Sequence, residues 1–132
     1  MADVTREFIK AAKKGDLAGL KALLESDSNL ISAQDSDGST ALHCAAWKGH
    51  TTVVDYLLAA GAEVNKHNNN DHWGTTPLHA AAHANQATIA QRLIVAGADV
   101  NAKDMKGMTP LYHTTLHNAK AAAKVLAQNG GV

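Results

Sequence analysis

The chain has 132 residues, 12 Lys+Arg against 12 Asp+Glu, and is 45% hydrophobic and 18% charged. That is enough chain for one domain with a sizeable core; its hydrophobicity excludes a disordered chain, and its balanced charge argues against nucleic acid or an anionic membrane surface as the main partner. No apolar run approaches the ~18 residues of a membrane span, the charged first fifteen residues do not read as a secretory leader, and the single cysteine, Cys44, excludes an internal disulfide and points to a reducing compartment, cytoplasmic or nuclear.

Taken in order, the chain repeats itself. The stretch 2–34 carries Ala11-Ala12, Gly15-Asp16 and Leu23-Leu24. The stretch 35–70 carries Thr40-Ala41-Leu42-His43, Ala45-Ala46, Gly49, Leu57-Leu58 and Gly61-Ala62-Glu63-Val64-Asn65. In 71–103 the same markers return as Thr76-Pro77-Leu78-His79, Ala81-Ala82, Asn85, Leu93-Ile94 and Gly97-Ala98-Asp99-Val100-Asn101. In 104–132 they return as Thr109-Pro110-Leu111-Tyr112, Asn118 and Gly130. The tetrapeptides stand 36 and then 33 residues apart, a period at which sequence repeats signal stacked structural units.

The physics of one unit is legible. Thr76 has the hydroxyl of an N-cap, and Pro77 falls at the first helical position, where a missing N–H costs nothing. A helix over 77–84 follows, with small alanines that allow close approach of neighbours. Gly15, Gly49, Asn85 and Asn118 share one register after the first helices, and Gly and Asn tolerate the left-handed conformation that ends a helix. A second helix over 51–59 places Val53, Val54, Leu57 and Leu58 at helical spacing, and Gly61 stops it. Asp-x-x-Gly then predicts tight turns over 35–38, 71–74 and 104–107. The final helix, 119–128, presents Lys120, Lys124 and Gln128 as a polar outer face. Two antiparallel helices and a projecting turn cannot bury their apolar face alone, so the units must stack into an all-α solenoid.

These markers resemble the ankyrin repeat family over nearly the whole chain. The resemblance implies one ankyrin-repeat domain, 1–132, of stacked helix-turn-helix units with projecting β-turn fingers. Its four units are about 2–34, 35–70, 71–103 and 104–132, the first and last reading as caps. It also implies a non-catalytic module that binds another protein through turn tips and first helices, as adaptor or inhibitor, without cofactor, and monomeric alone. A permanently docked subunit of a larger complex is the alternative, and a histidine-based metal-binding protein a third reading. The family's contact positions fall on Gln34, Ser36, Asp37 and Ser39, on Asn70, His72, Trp73 and Thr75, and on Lys103, Met105, Lys106 and Met108. On the first helices they fall on Lys13, Lys14, Trp47, Lys48, His83, Ala84, Leu116 and His117. Asn65 and Asn101 occupy the position that asparaginyl hydroxylases modify in ankyrin proteins of animals; their structural role would be to cap the turn after the second helix. Ala41 replaces the usual Pro, Tyr112 the usual His, and Asn85 and Asn118 the usual Gly, while three extra residues lie between Asn65 and Asp71.

Both tryptophans and Met105, Met108 and Leu116 lie on the implied contact surface. Trp typifies binding hot spots and exposed Met suits adaptable surfaces, so a ridge of Trp47 and Trp73 flanked by the two methionines is the expected hot spot. Local packing of Trp47 on the neighbouring helix is the competing expectation. The loop 66–72 reads as a longer finger or as a drifted surface loop. His79 with His83, and His113 with His117, have the i, i+4 spacing zinc favours, and His67, Asp71 and His72 form a further cluster. His43 and His79, however, belong to the repeat tetrapeptide, where the resemblance implies that the imidazole supports the turn by hydrogen bonds. No metal is therefore expected. Cys44 follows His43 directly, and consecutive helix residues do not face each other, so it reads as a bystander thiol. Lys10, Lys13, Lys14 and Lys48 read as a solvated basic strip, or as the complement of an acidic patch.

Overall fold

The computed structural model describes residues 3–68 and 74–132, which form eight α-helices and no strand among the described residues. The helices are α1 (Asp3–Lys14), α2 (Leu17–Ser26), α3 (Ala41–Lys48), α4 (Thr51–Ala59), α5 (Pro77–His83), α6 (Ala87–Val95), α7 (Pro110–Leu116) and α8 (Lys120–Gln128). A short 3-10 helix, Ser28–Ser32, follows α2; it was not expected, and the Asp27 carboxylate caps it by accepting the Asn29 N–H. The predicted helices over 51–59, 77–84 and 119–128 appear to within one residue at each end.

Helices α1, α3, α5 and α7 form an inner row in which each packs on the next, and each is backed by its antiparallel partner from α2, α4, α6 and α8. The inner row approaches closely because its contact residues are small: Ala12, Ala45, Ala46, Ala81 and Ala82 are fully buried. In α7, Thr114 takes the alanine register; it is also buried, and its hydroxyl donates to the Leu111 carbonyl. Leu20, Leu57, Leu93 and Leu126 from the outer row close one continuous core with Phe8, Leu42, Leu78 and Ile89. Fully burying each such side chain contributes roughly 1.5–3 kcal/mol.

The helix starts and stops follow the expected chemistry. Thr40, Thr76 and Thr109 sit in extended backbone and cap α3, α5 and α7, with Pro77 and Pro110 at the first helical positions. At the other end Gly49 has φ +83°, a left-handed conformation that strains most side chains, and an added Cβ would also push the Gln86 carboxamide aside. Asn85 and Asn118 adopt the same left-handed region at φ 58° and 54°. The tight turns over 35–38 and 104–107 close with Gly38 and Gly107 N–H groups donating to Asp35 and Asp104 carbonyls, at 2.9 and 3.0 Å. The predicted turn over 71–74 falls largely outside the described residues.

The departure from glycine at Asn85 has a structural reason. Helix α8 has Ala119 at its N-cap, whose methyl group cannot accept a hydrogen bond. The Asn85 carboxamide oxygen accepts the Ala122 N–H at 3.0 Å, so a side chain from the preceding unit supplies the cap. Asn85→Gly keeps the backbone conformation and removes only this bond. The expected cost is about 1 kcal/mol, read from urea denaturation, whereas a neutral result would assign the asparagine no capping role.

Candidate partner-binding surface

Inner helices and fingers enclose a concave groove of about 530 Å³. Lys13, Trp47, Lys48 and His83 line its helix side; Asp35, Asp37, Ser39 and Thr75 line its finger side; Cys44 lies between. Two lysines thus face two aspartates across a largely apolar floor. Burial pushes the Cys44 thiol up to about 11, with Lys13 opposing and Asp35 adding. At neutral pH it is a protonated, unreactive thiol. Lys13, Lys14 and Lys48 are exposed, and none is ion-paired with a described residue.

The implied contact residues separate into distinct groups. Ser36, Asp37, Lys103, Met105 and Lys106 are exposed on the fingers, with Met105 69% exposed and its side chain lying across Gly74. Trp47 and Leu116 are each 44% exposed, Lys48 and His117 are exposed, and His83 is half-buried. Ser39, Thr75 and Met108 are half-buried and structurally engaged. The Asn68 carboxamide donates to the Ser39 and Thr75 hydroxyl oxygens at 3.2 Å each, and accepts the Thr75 N–H, tying one finger to the next. Asn70, Asp71, His72 and Trp73 lie outside the described residues. Trp47 stacks on His83 of the neighbouring helix, ring centroids 4.6 Å apart, as the packing expectation has it, and it still presents 44% of its surface.

The histidines explain themselves once the units are stacked. His43 and His79 accept the N–H of Thr40 and Thr76 at Nδ1, 3.2 and 3.1 Å. Their protons therefore sit on Nε2 and donate to the carbonyls of Thr75 and Met108 in the following unit, at 2.8 and 2.9 Å. His67 bridges in the same sense to the Lys103 carbonyl, and His50 reaches back to the Lys13 carbonyl. Burial pulls both His43 and His79 down to about 4, against the opposing pull of those carbonyl bonds. Asn65 and Asn101 are further staples rather than local caps. Asn65 bonds the Gly97 carbonyl and the Asp99 N–H; Asn101 bonds the Gly130 carbonyl and the Val132 N–H.

One buried polar pair was not foreseen. His113 Nε2 donates to Asp104 Oδ2 at 2.8 Å, with both side chains almost wholly buried. Asp104 Oδ1 accepts the N–H groups of Lys106 and Met108, shaping the third finger. Burial alone would raise the Asp104 carboxyl; the bonds from His113 and the two backbone N–H groups outweigh it and hold the carboxyl below its usual value. The spacing of His113 pointed along its own helix to His117, whereas its partner lies nine residues earlier on a finger. His79, Asp104 and His113 bring ligand atoms within 4.8 Å of one another. A metal there would have to displace the His79 proton bonded to Met108 while Nδ1 is already committed to Thr76, so the trio fits a hydrogen-bond network better than an ion.

These features define a class: a helical repeat solenoid with a concave face lined by its inner helices and projecting turns. Family comparison gives the narrower assignment. Family models described as "Ankyrin repeats (many copies)" and "Ankyrin repeats (3 copies)" match residues 8–58 and 65–132, and the chain belongs to the ankyrin-repeat family. It is 36% identical to human ankyrin repeat domain-containing protein 49 over 63 residues, 48% of this chain and 26% of that protein. It is 43% identical over 54 residues to human 26S proteasome non-ATPase regulatory subunit 10, covering 41% and 24% of the two chains. It is 42% identical over 62 residues to the Arabidopsis thaliana serine/threonine-protein kinase VIK, covering 47% and 14%. The matched stretches thus span about a quarter or less of these relatives. Ankyrin repeats are in general non-catalytic protein-interaction modules.

Proposed function

We propose that the protein binds a partner protein along its concave groove and finger tips, as a non-catalytic adaptor or inhibitor in the cytoplasm or nucleus. The observation that carries this reading is Trp47. A tryptophan held by a stack on His83, yet 44% exposed beside Lys48 at the mouth of a mostly apolar groove, combines a large, rigid apolar face with low residual entropy. Met105 and Leu116 add exposed apolar surface on the fourth unit, and the groove's Lys and Asp residues would set orientation and register. A standard interface of about 800 Å² per partner fits a concave face of this size. Asn65 and Asn101 remain candidate hydroxylation positions; their carboxamides are tied to the next unit, so modification would require that loop to open transiently.

The test is affinity capture from source-cell lysate with wild type, Trp47→Ala and Trp47→Ala/Trp73→Ala, each checked for native helicity. A protein retained by wild type should bind Trp47→Ala at least tenfold more weakly, the loss typical of a hot spot. Equal recovery by all three would move the interface off this ridge.

A further inference from the structure

We propose that His83 and His117 form an open divalent transition-metal site on the concave edge of the stack, where the third and fourth helix pairs meet. Seven histidines are described, and five of them have a ring nitrogen committed to another protein group: His43, His50, His67 and His79 to backbone carbonyls, and His113 to Asp104. The ring nitrogens of His83 and His117 make no hydrogen bond to another described residue. These are also the two imidazoles that pack on each other most closely, with ring centroids 3.9 Å apart and planes at 58°. Two neutral imidazoles without a carboxylate are a borderline-soft donor set. That set suits Zn²⁺, Ni²⁺ or Cu²⁺ and disfavours Mg²⁺ and Ca²⁺.

The backbone allows the site to close. His83 is the last residue of α5 and its ring is braced by the Trp47 stack, 24° from parallel. His117 caps the end of α7 and is exposed, so its ring can rotate without disturbing the core. Two imidazoles on one zinc, each at about 2.0–2.1 Å, hold their centroids roughly 5 Å apart, about an ångström wider than the present stack. Opening of His117 alone supplies that. Two protein donors leave the remaining coordination positions for water or other donors. The site is a property of this chain alone and stands independently of which partner docks in the groove.

The Trp47–His83 stack supplies its own reporter. Tag-free Trp73→Phe protein, with Trp47 as its only indole, is titrated with Ni²⁺ at pH 7.5. Saturable quenching of Trp47 emission at one equivalent, reversed by Zn²⁺ competition and accompanied by one-to-one Zn²⁺ binding in calorimetry, is the expected result. His83→Gln and His117→Gln should each weaken binding by about tenfold or more, and His67→Gln should leave it unchanged. Circular dichroism confirms the fold of each variant, and neither histidine is fully buried. Quenching that is absent or unsaturable overturns the site. So does Ni²⁺ affinity that survives the His83→Gln/His117→Gln double substitution.

Discussion

Between pH 6.5 and about pH 4 the fold loses stability steeply, by about 3 kcal/mol for each of His43 and His79. Both imidazoles are almost wholly buried, and burial pulls each from 6.5 to about 4. In the unfolded chain they protonate near 6.5. Within the window the unfolded state therefore binds more protons than the native state, and lowering the pH favours unfolding. Above pH 6.5 both states carry neutral rings and the effect vanishes; below about pH 4 both are charged and it levels off. The size follows from 1.36 kcal/mol per pKa unit. The two together are a large share of the 5–15 kcal/mol typical of a whole domain. Half-buried His83 acts in the same direction, lowered by burial, His117 and His113. Asp104, held below 3.8, loses its contribution only under still more acid conditions. Urea midpoints measured at pH 7.5, 6.5, 5.5 and 4.5 test this: a flat profile would refute it, and His79→Gln should flatten the slope of the native protein.

Removing the Asp104 carboxylate is the costliest single change expected among the polar residues. Asp104→Ala strips three hydrogen bonds at once, from Lys106 N–H, Met108 N–H and His113 Nε2, and leaves their donors in a buried site. Breaking one side of a buried pair costs about 3–5 kcal/mol, which for a chain of this size lowers the melting temperature by roughly 10–20 °C. Asp104→Asn keeps an oxygen for the two backbone N–H groups and should cost less, about 1–3 kcal/mol. A melting curve ordering wild type above Asn above Ala is expected; an Asn variant as stable as wild type would show that the backbone bonds are what the site needs, whereas an Asn variant no more stable than Ala would assign the whole effect to the carboxylate and its bond from His113. Because Met108 also accepts the His79 proton, the loss should loosen the contact between α5 and the third finger.

The sequence by itself determined the repeat, its helix starts and its helix stops. Thr-Pro at the N-termini and Gly or Asn at the C-termini act through local backbone geometry, which depends on residues within one turn; the helix at Thr51–Ala59 is legible for the same reason. Exposure of Trp47 was also readable, since its register in the repeat places it on the inner helix end. Contacts between units were not. A 33-residue spacing brings His43 to Thr75, Asn65 to Gly97 and Asn85 to Ala122 only after stacking, and no local pattern marks these pairs. The histidine spacing along one helix likewise does not show which rings meet. His79 and His83 lie on one helix, but packing buries the first ring completely and leaves the second half-exposed, so the close neighbours are His113 for His79 and His117 for His83, across α5 and α7. Periodicity assigns a residue to a face; only the tertiary structure decides what that face meets, because the partner's identity is set by the neighbouring unit and not by the residue's own helix.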